Sequence, residues 1–254
     1  VARDWAQTSN SSKGRSAAPE LNPEMERLEL HAFGLRPMLD TAREELGPEA
    51  VREILSSLGV PPERFSAPDS WMSLRFVEGF MDEMVRRSGD PEIIDRFSKA
   101  SISAKYLGPL YPLLGALGNP LIAYDQVVRI SPRFNKVAFY RMRERRPDFV
   151  ALEYWPVEGA QRETGAWFCR SREVQLSCVP TLFGSARART SHPRCIARGD
   201  ECCVYECTWH PSPRSLLKWF GVAIGVVVGL ALAQAFSVSL PLLACLLACC
   251  GLAG

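Results

Sequence analysis

Apolar residues recur at helical spacing through the first half of the chain and at alternate positions through much of the second. In "GPEAVREILSSLGV" the set Val51, Ile54, Leu55 and Leu58 falls on one helical face, and Gly59 followed by Pro61 ends the pattern. In "SWMSLRFVEGFMDEMVRRSG" a second stripe runs through Trp71, Leu74, Val77, Phe80, Met81, Met84 and Val85. Asp69 or Ser70 can cap its start and Gly89 can close it. "DPEIIDRFSKASISAKYL" and "LGPLYPLLGALG" read as further short helices, interrupted at Pro109 and Pro112. After "NPLIAYDQVV" the period shifts towards two. "KVAFYRMRE" and "FVALEYWPV", separated by "RRPD", predict a hairpin. "GAWFCRSREVQLSCVPTLFG" reads as a helix ending near Gly184. "ARARTSHPRC" and "CVYECTWH" read as two more strands turning at "RGDE".

The pattern predicts an α/β fold of the α+β kind, with a helical N-terminal half packed on an antiparallel sheet of about four strands. Residues 1–25 are polar and Ser-rich and read as a disordered arm, and 26–210 form the folded domain. From Trp219 to Phe236 the one strongly polar side chain is Gln234, and Leu240 to Gly254 carries no charge. A helix crossing a membrane needs about 20 largely apolar residues. Residues 211–254 therefore read as a transmembrane helical hairpin, its second span cut short. Arg214 and Lys218 before the first span place the folded domain in the cytoplasm, at the inner membrane. Gly221, Gly225 and Gly229 repeat every four residues and suggest a homodimer through that face.

Composition narrows the function more by exclusion than by assignment. The formal net charge of +2 gives no basic surface for nucleic acid. The chain holds no G-x-S-x-G elbow, no Walker loop, no G-x-G-x-x-G and no H-E-x-x-H. It has three histidines. His31, the only one in the helical half, reads as a solvated surface residue, which argues against haem. The run "RMRERRPD" and the pair Glu44 and Glu45 read as solvated faces. The reading is of a binding domain rather than an enzyme, with any catalytic output beyond residue 254.

The chemistry concentrates in "SHPRCIARGDECCVYECTWH", Ser191 to His210, which holds four cysteines and two histidines. In the cytoplasm a stable disulfide is disfavoured. His192 and Cys195 are three apart, and Cys195 and Cys203 flank the turn at Gly199 and Asp200. With Cys169 from the preceding element they make three thiolates and an imidazole, a common closed zinc set. On a strand Cys203, Tyr205, Cys207 and Trp209 share one face, so Cys207 is more simply core and Cys202 points away. A packed thiol cluster and a thiol redox switch involving Cys202 are the competing readings.

"HPRCIARGDECCVY" resembles the C-terminal signature of the 4-vinyl reductase domains. These belong to a ligand-binding superfamily with the haem nitric-oxide-binding domains and subunits of vesicle-tethering complexes. The matching positions are His192, Cys195, Gly199, Cys203, Val204 and Tyr205, with the family's upstream cysteine at Cys169. His192 stands where aromatic-sensing members carry a carboxylate. The resemblance covers roughly Leu35 to Trp209, and "ISPRFNKVAFYR" also resembles input regions of bacterial signalling proteins. It implies a structural zinc at Cys169, His192, Cys195 and Cys203 beside an apolar pocket for a small hydrophobic ligand, in a membrane-anchored sensor contacting the lipid bilayer. Trp71, Phe76, Phe80, Tyr106, Tyr111 and Trp167 are the aromatic candidates for that pocket. A ligand-free scaffold like the vesicle-tethering subunits, a reductase-type enzyme and a redox sensor are the alternatives.

Overall fold

The computed structural model describes residues 25, 27–60, 70–117, 119–210, 225 and 227–229. Two layers account for the described elements. The helical layer comprises α1 (Arg36–Leu46), α2 (Pro48–Ser57), α3 (Leu74–Ser88) and α4 (Ile93–Ala100). A two-stranded ribbon, β1 (Leu30–His31) with β2 (Trp71–Met72), lies beside it. The short helices α5 (Ala104–Leu107) and α6 (Leu110–Leu117) lead to α7 (Pro120–Ile130). The second layer is a four-stranded antiparallel sheet of β3 (Ala138–Arg146), β4 (Phe149–Pro156), β5 (Arg189–Arg194) and β6 (Cys203–Thr208), in the order β3-β4-β6-β5. Helix α8 (Ala166–Cys178) separates the hairpin β3–β4 from β5 in sequence.

Local chemistry explains most boundaries. Gly47, at φ 87°, ends α1 and lets Pro48 open α2 immediately. Helix α3 starts later than its apolar stripe suggests, because Ser73 caps it by accepting from the Phe76 N–H at 3.0 Å. Trp71, on that stripe, belongs instead to β2. Asn119 caps α7 with Pro120 at its first position. Pro112 lies within the first turn of α6, where its missing N–H costs nothing, so it does not interrupt that helix.

Helix α8 joins the two layers. One buried core gathers Leu39, Ile54, Phe76, Phe80, Met84, Ile94 and Phe168. The other gathers Tyr124, Leu152, Tyr154, Cys169, Leu176, Tyr205 and Cys207. Phe168 and Cys169, neighbours on α8, thus belong to different cores. Glu78 of α3 holds the helix's start: its Oε1 accepts from the backbone N–H of Thr164 at 2.6 Å and of Gly165 at 3.1 Å. Arg75 and the Thr164 hydroxyl complete its shell. Further along, Ser98 donates to Ser171 at 2.8 Å and Tyr124 to the Leu176 carbonyl at 2.8 Å.

The transmembrane hairpin expected over 211–254 is corrected. Among the described residues no helix is long and apolar enough to cross a membrane. The longest, α3, has 15 residues and carries Arg75, Glu78, Asp82, Glu83, Arg86 and Arg87, against the about 20 apolar residues a crossing needs. Of 211–254, only the helical positions Gly225 and 227–229 are described. The rest of that segment, including Gly221 of the glycine stripe, and almost all of the expected arm at 1–25 lie outside the described residues.

Replacing Glu78 by Ala leaves two N–H groups at the start of α8 without their acceptor. We expect a loss of about 2–3 kcal/mol of unfolding free energy, measured by urea titration. A loss below about 0.5 kcal/mol would show that this carboxylate does not hold the helix.

Candidate metal centre

Three elements bring the cysteines together. Cys169 lies in the first turn of α8, Cys203 opens β6, and Cys195 follows β5 directly. Their thiols are buried, with Cys195 Sγ 3.4 Å and Cys203 Sγ 3.7 Å from Cys169 Sγ. His192 joins them: the four ligand atoms of Cys169, His192, Cys195 and Cys203 all lie within 4.8 Å of one another. In a zinc–thiolate tetrahedron with bonds of about 2.3 Å, sulfur atoms stand about 3.8 Å apart. The observed separations are close to that edge. His192 Nε2 is buried and has no hydrogen-bond partner.

Backbone geometry explains how His192 reaches the set. Strand β5 pairs Thr190 with Cys207 and Ser191 with Glu206, then slips before Arg194 pairs with Val204. His192 and Pro193 occupy this bulge, Pro193 contributing no N–H to the ladder. The imidazole stacks on the Tyr205 ring, centroids 4.3 Å apart and planes at 19°. The turn from Cys195 to Cys203 is fixed by its own bonds. Asp200 accepts from the Cys195 N–H at 2.7 Å, and Arg198 donates to the His192 carbonyl at 2.6 Å. Gly199 has φ 96°, a conformation side chains disfavour. The Ile196 N–H donates to Cys203 Sγ at 3.3 Å.

These contacts give the thiols different acidities. A hydrogen bond from Cys169 lowers the Cys203 pKa, helped by the Ile196 N–H and the Arg172 charge and opposed by burial. Cys169, which makes that bond, is raised, and burial raises it further. Burial also raises Cys195 and keeps His192 in its neutral form, the form that ligates a metal. The arrangement thus holds a neutral imidazole and a thiolate-prone sulfur in contact with two further thiols.

The remaining candidates separate. Cys207 is fully buried opposite Val150, and burial pushes its thiol up to about 12. Cys202 is also fully buried, and burial raises its pKa, so it lacks the exposed thiolate of a reactive cysteine. The six aromatic pocket candidates are dispersed. Phe76 and Phe80 are core residues of α3. The Trp71 ring meets His31 and Lys136 at the ribbon. Tyr106 donates to Asp40 at 2.8 Å, Trp167 donates to Asp82 at 2.9 Å, and Tyr111 is exposed on α6. None of the six lines the open cleft of about 430 Å³ between α4, α8 and β5, whose walls include Asp95, Arg170, Glu173 and Arg187.

Sequence reasoning missed a buried ion pair beside the centre. Arg172 on α8 pairs with Glu163, and both are buried. The Tyr154 hydroxyl donates to Glu163 Oε1 at 2.7 Å, and the Arg172 guanidinium lies 3.8 Å above the Tyr154 ring.

No family model matches the chain and no curated protein matches it, so the resemblance to the 4-vinyl reductase domains rests on the motif alone. Solved structures do match its fold. An Fe(II) unliganded H-NOX protein from K. algicida superposes with TM-score 0.53 at 11% identity, over 72% of this chain and 98% of that one. An H-NOX protein from S. oneidensis in the Fe(II)NO state gives 0.54 at 12% identity, over 70% and 98%. An oxygen-binding H-NOX domain related to soluble guanylate cyclases gives 0.50 at 14%, over 70% and 94%. The described domain therefore has an H-NOX-like fold.

That fold family implies haem, and the three histidines of this chain do not fit it. His31 Nδ1 accepts from the Phe33 N–H at 3.1 Å, which leaves the proton on Nε2, and its ring sits edge-on to Trp71 and Phe134. It is half-buried at the ribbon rather than solvated. His192 belongs to the thiol cluster, and His210 is exposed beyond β6.

The buried thiol of Cys207 gives a prediction with a definite sign. In the unfolded chain it titrates near about 8.5, and in the fold only near about 12. Its stabilising contribution is present below about 8.5 and declines as pH rises towards 12. Urea titrations across that range should show the decline, with a smaller slope in Cys207→Ala. Iodoacetamide at mildly alkaline pH should label Cys202 and Cys207 only after unfolding, as read by peptide mass spectrometry.

Proposed function

We propose that this domain is a small-molecule-sensing input module whose sheet and α8 are clamped by a structural zinc ion. Cys169, His192, Cys195 and Cys203 would hold the metal. The observation that carries this is the convergence of their four ligand atoms within 4.8 Å, three from the β5–β6 hairpin and one from α8. A closed set of three thiolates and an imidazole leaves no open position, so the ion supplies cross-linking rather than chemistry. Thiolate ligands require a reducing environment, and the reading carries a cytoplasmic location for the domain.

The sensing role is supported by the fold it shares with H-NOX proteins solved in unliganded, nitric-oxide and oxygen states. It is supported also by the motif resemblance to the 4-vinyl reductase domains. The finer reading is a small hydrophobic ligand entering between the helical layer and the sheet, where α8 touches both cores. A ligand preferring one setting of α8 would shift the balance between two arrangements of the layers. The chain's own part is to bind and to transmit, not to catalyse.

Elemental analysis of the purified chain should find about one zinc per molecule, lost in Cys195→Ser, with chelation lowering the melting temperature. A metal-free chain with unchanged melting in Cys195→Ser would remove the zinc. For sensing, toluene and indole should raise the melting temperature and alter amide exchange in α8. If neither they nor nitric oxide change either quantity, the sensing role fails.

A further inference from the structure

The metal centre raises a problem of charge. A zinc dication with three thiolates and a neutral imidazole carries one net negative charge. Here that charge would be buried among Cys169, Cys195, Cys203 and Tyr205. Burying an uncompensated charge is costly.

Among the described residues the one guanidinium buried in this part of the core is that of Arg172. It follows Cys169 by one helical turn, so both project from the same side of α8. It lies 3.8 Å above the ring of Tyr154, and Tyr154 stands directly opposite Cys203 across the β4–β6 ladder. Its side chain is only 8% exposed. One arm is held by Glu163, which Tyr154 braces, while Nη1 is buried with no hydrogen-bond partner. A buried arginine with an unused donor is itself unfavourable. The guanidinium also lies 5.4 Å from the centre of the Phe168 ring, a contact that gives Nη1 no acceptor, while Arg170, two residues earlier, pairs with Asp95 at 2.6 Å.

We propose that Arg172 is the charge-compensating residue of the metal centre: Glu163 holds one arm of the guanidinium and takes up part of its charge, and the remainder, on the side of the unpartnered Nη1, partly offsets the excess negative charge of the metal-bound thiolates. This inference rests on the zinc reading above. It adds a function for a residue outside the ligand set. It also gives a reason for a buried Glu–Arg pair, a kind of interaction that by itself often adds little stability. Outer residues of this kind set metal affinity by factors of 10–100.

The test measures zinc affinity of the full chain by competition with a chromophoric chelator, and the absorption bands of the cobalt-substituted centre. Arg172→Gln should weaken zinc binding about 10–100-fold and shift the sulfur-to-cobalt charge-transfer band. Arg172→Lys, which keeps the charge, should recover most of the affinity. Glu163→Gln breaks the same ion pair but leaves the positive charge, and should bind zinc as tightly as the wild type or more so. Equal weakening in Arg172→Gln and Glu163→Gln would mean that the pair merely supports the fold and would overturn the proposal. So would an Arg172→Gln affinity within about threefold of the wild type. If Arg172→Gln does not fold, Glu163→Gln decides alone: undiminished affinity supports the proposal and a tenfold or greater loss overturns it. A wild-type chain that takes up no zinc overturns the metal centre itself, a separate result.

Discussion

The structure depends on α8 being held on both sides at once. Its start is fixed by the carboxylate of Glu78 from α3, and its end by Tyr124 of α7, which reaches the Leu176 carbonyl. Between these points Phe168 enters the helical core and Cys169 the sheet core. Remove the Glu78 carboxylate and the N–H groups of Thr164 and Gly165, which lead into the helix, lose their acceptor. That carboxylate therefore sets the axial position of α8, and with it where Cys169 and Arg172 meet the sheet.

That position decides the chemistry. Cys203 is placed by the β4–β6 register, which sets it opposite Tyr154, and Cys195 by the bonded turn through Gly199 and Asp200. Neither strand alone forms a site. Only when α8 lies across them does Cys169 come within 3.7 Å of Cys203 and 3.4 Å of Cys195. The same docking lays Arg172 over Tyr154. Because one helix closes both the core and the cysteine cluster, an event at either should be felt at the other. That coupling is the physical basis of the sensing role proposed for the domain. The fold is H-NOX-like, while two of this chain's histidines are committed elsewhere. Here His192 sits among thiols, and His31 is spent on capping a turn.

Much of this was legible in the sequence. The stripe Val51, Ile54, Leu55 predicts α2, and the alternation Cys203, Tyr205, Cys207 predicts the buried face of β6, because these patterns follow from helical and strand periods. Spacing and the motif point to Cys169, His192, Cys195 and Cys203, and the structure brings the same four together. The pocket aromatics were not legible. A list of large apolar residues cannot separate core members such as Phe76 and Phe80 from exposed ones such as Tyr111. The membrane hairpin was read from hydropathy alone, and no described helix has that length and apolarity.

By itself the sequence determined the helical or strand period of the main elements, the close of α3 at Gly89, and the identity of the thiols and imidazole. These depend on local backbone geometry and side-chain chemistry, which neighbours in the chain settle. The tertiary structure alone decided three things. The bulge at His192 and Pro193 turned the imidazole inward. Glu78 was committed to a helix start 86 residues away. Arg172, in a stretch whose sequence shows only a helix, was drawn into the core beside Glu163. Where α8 is buried between the two cores, a charge such as that of Arg172 must find a partner that only the assembled fold supplies.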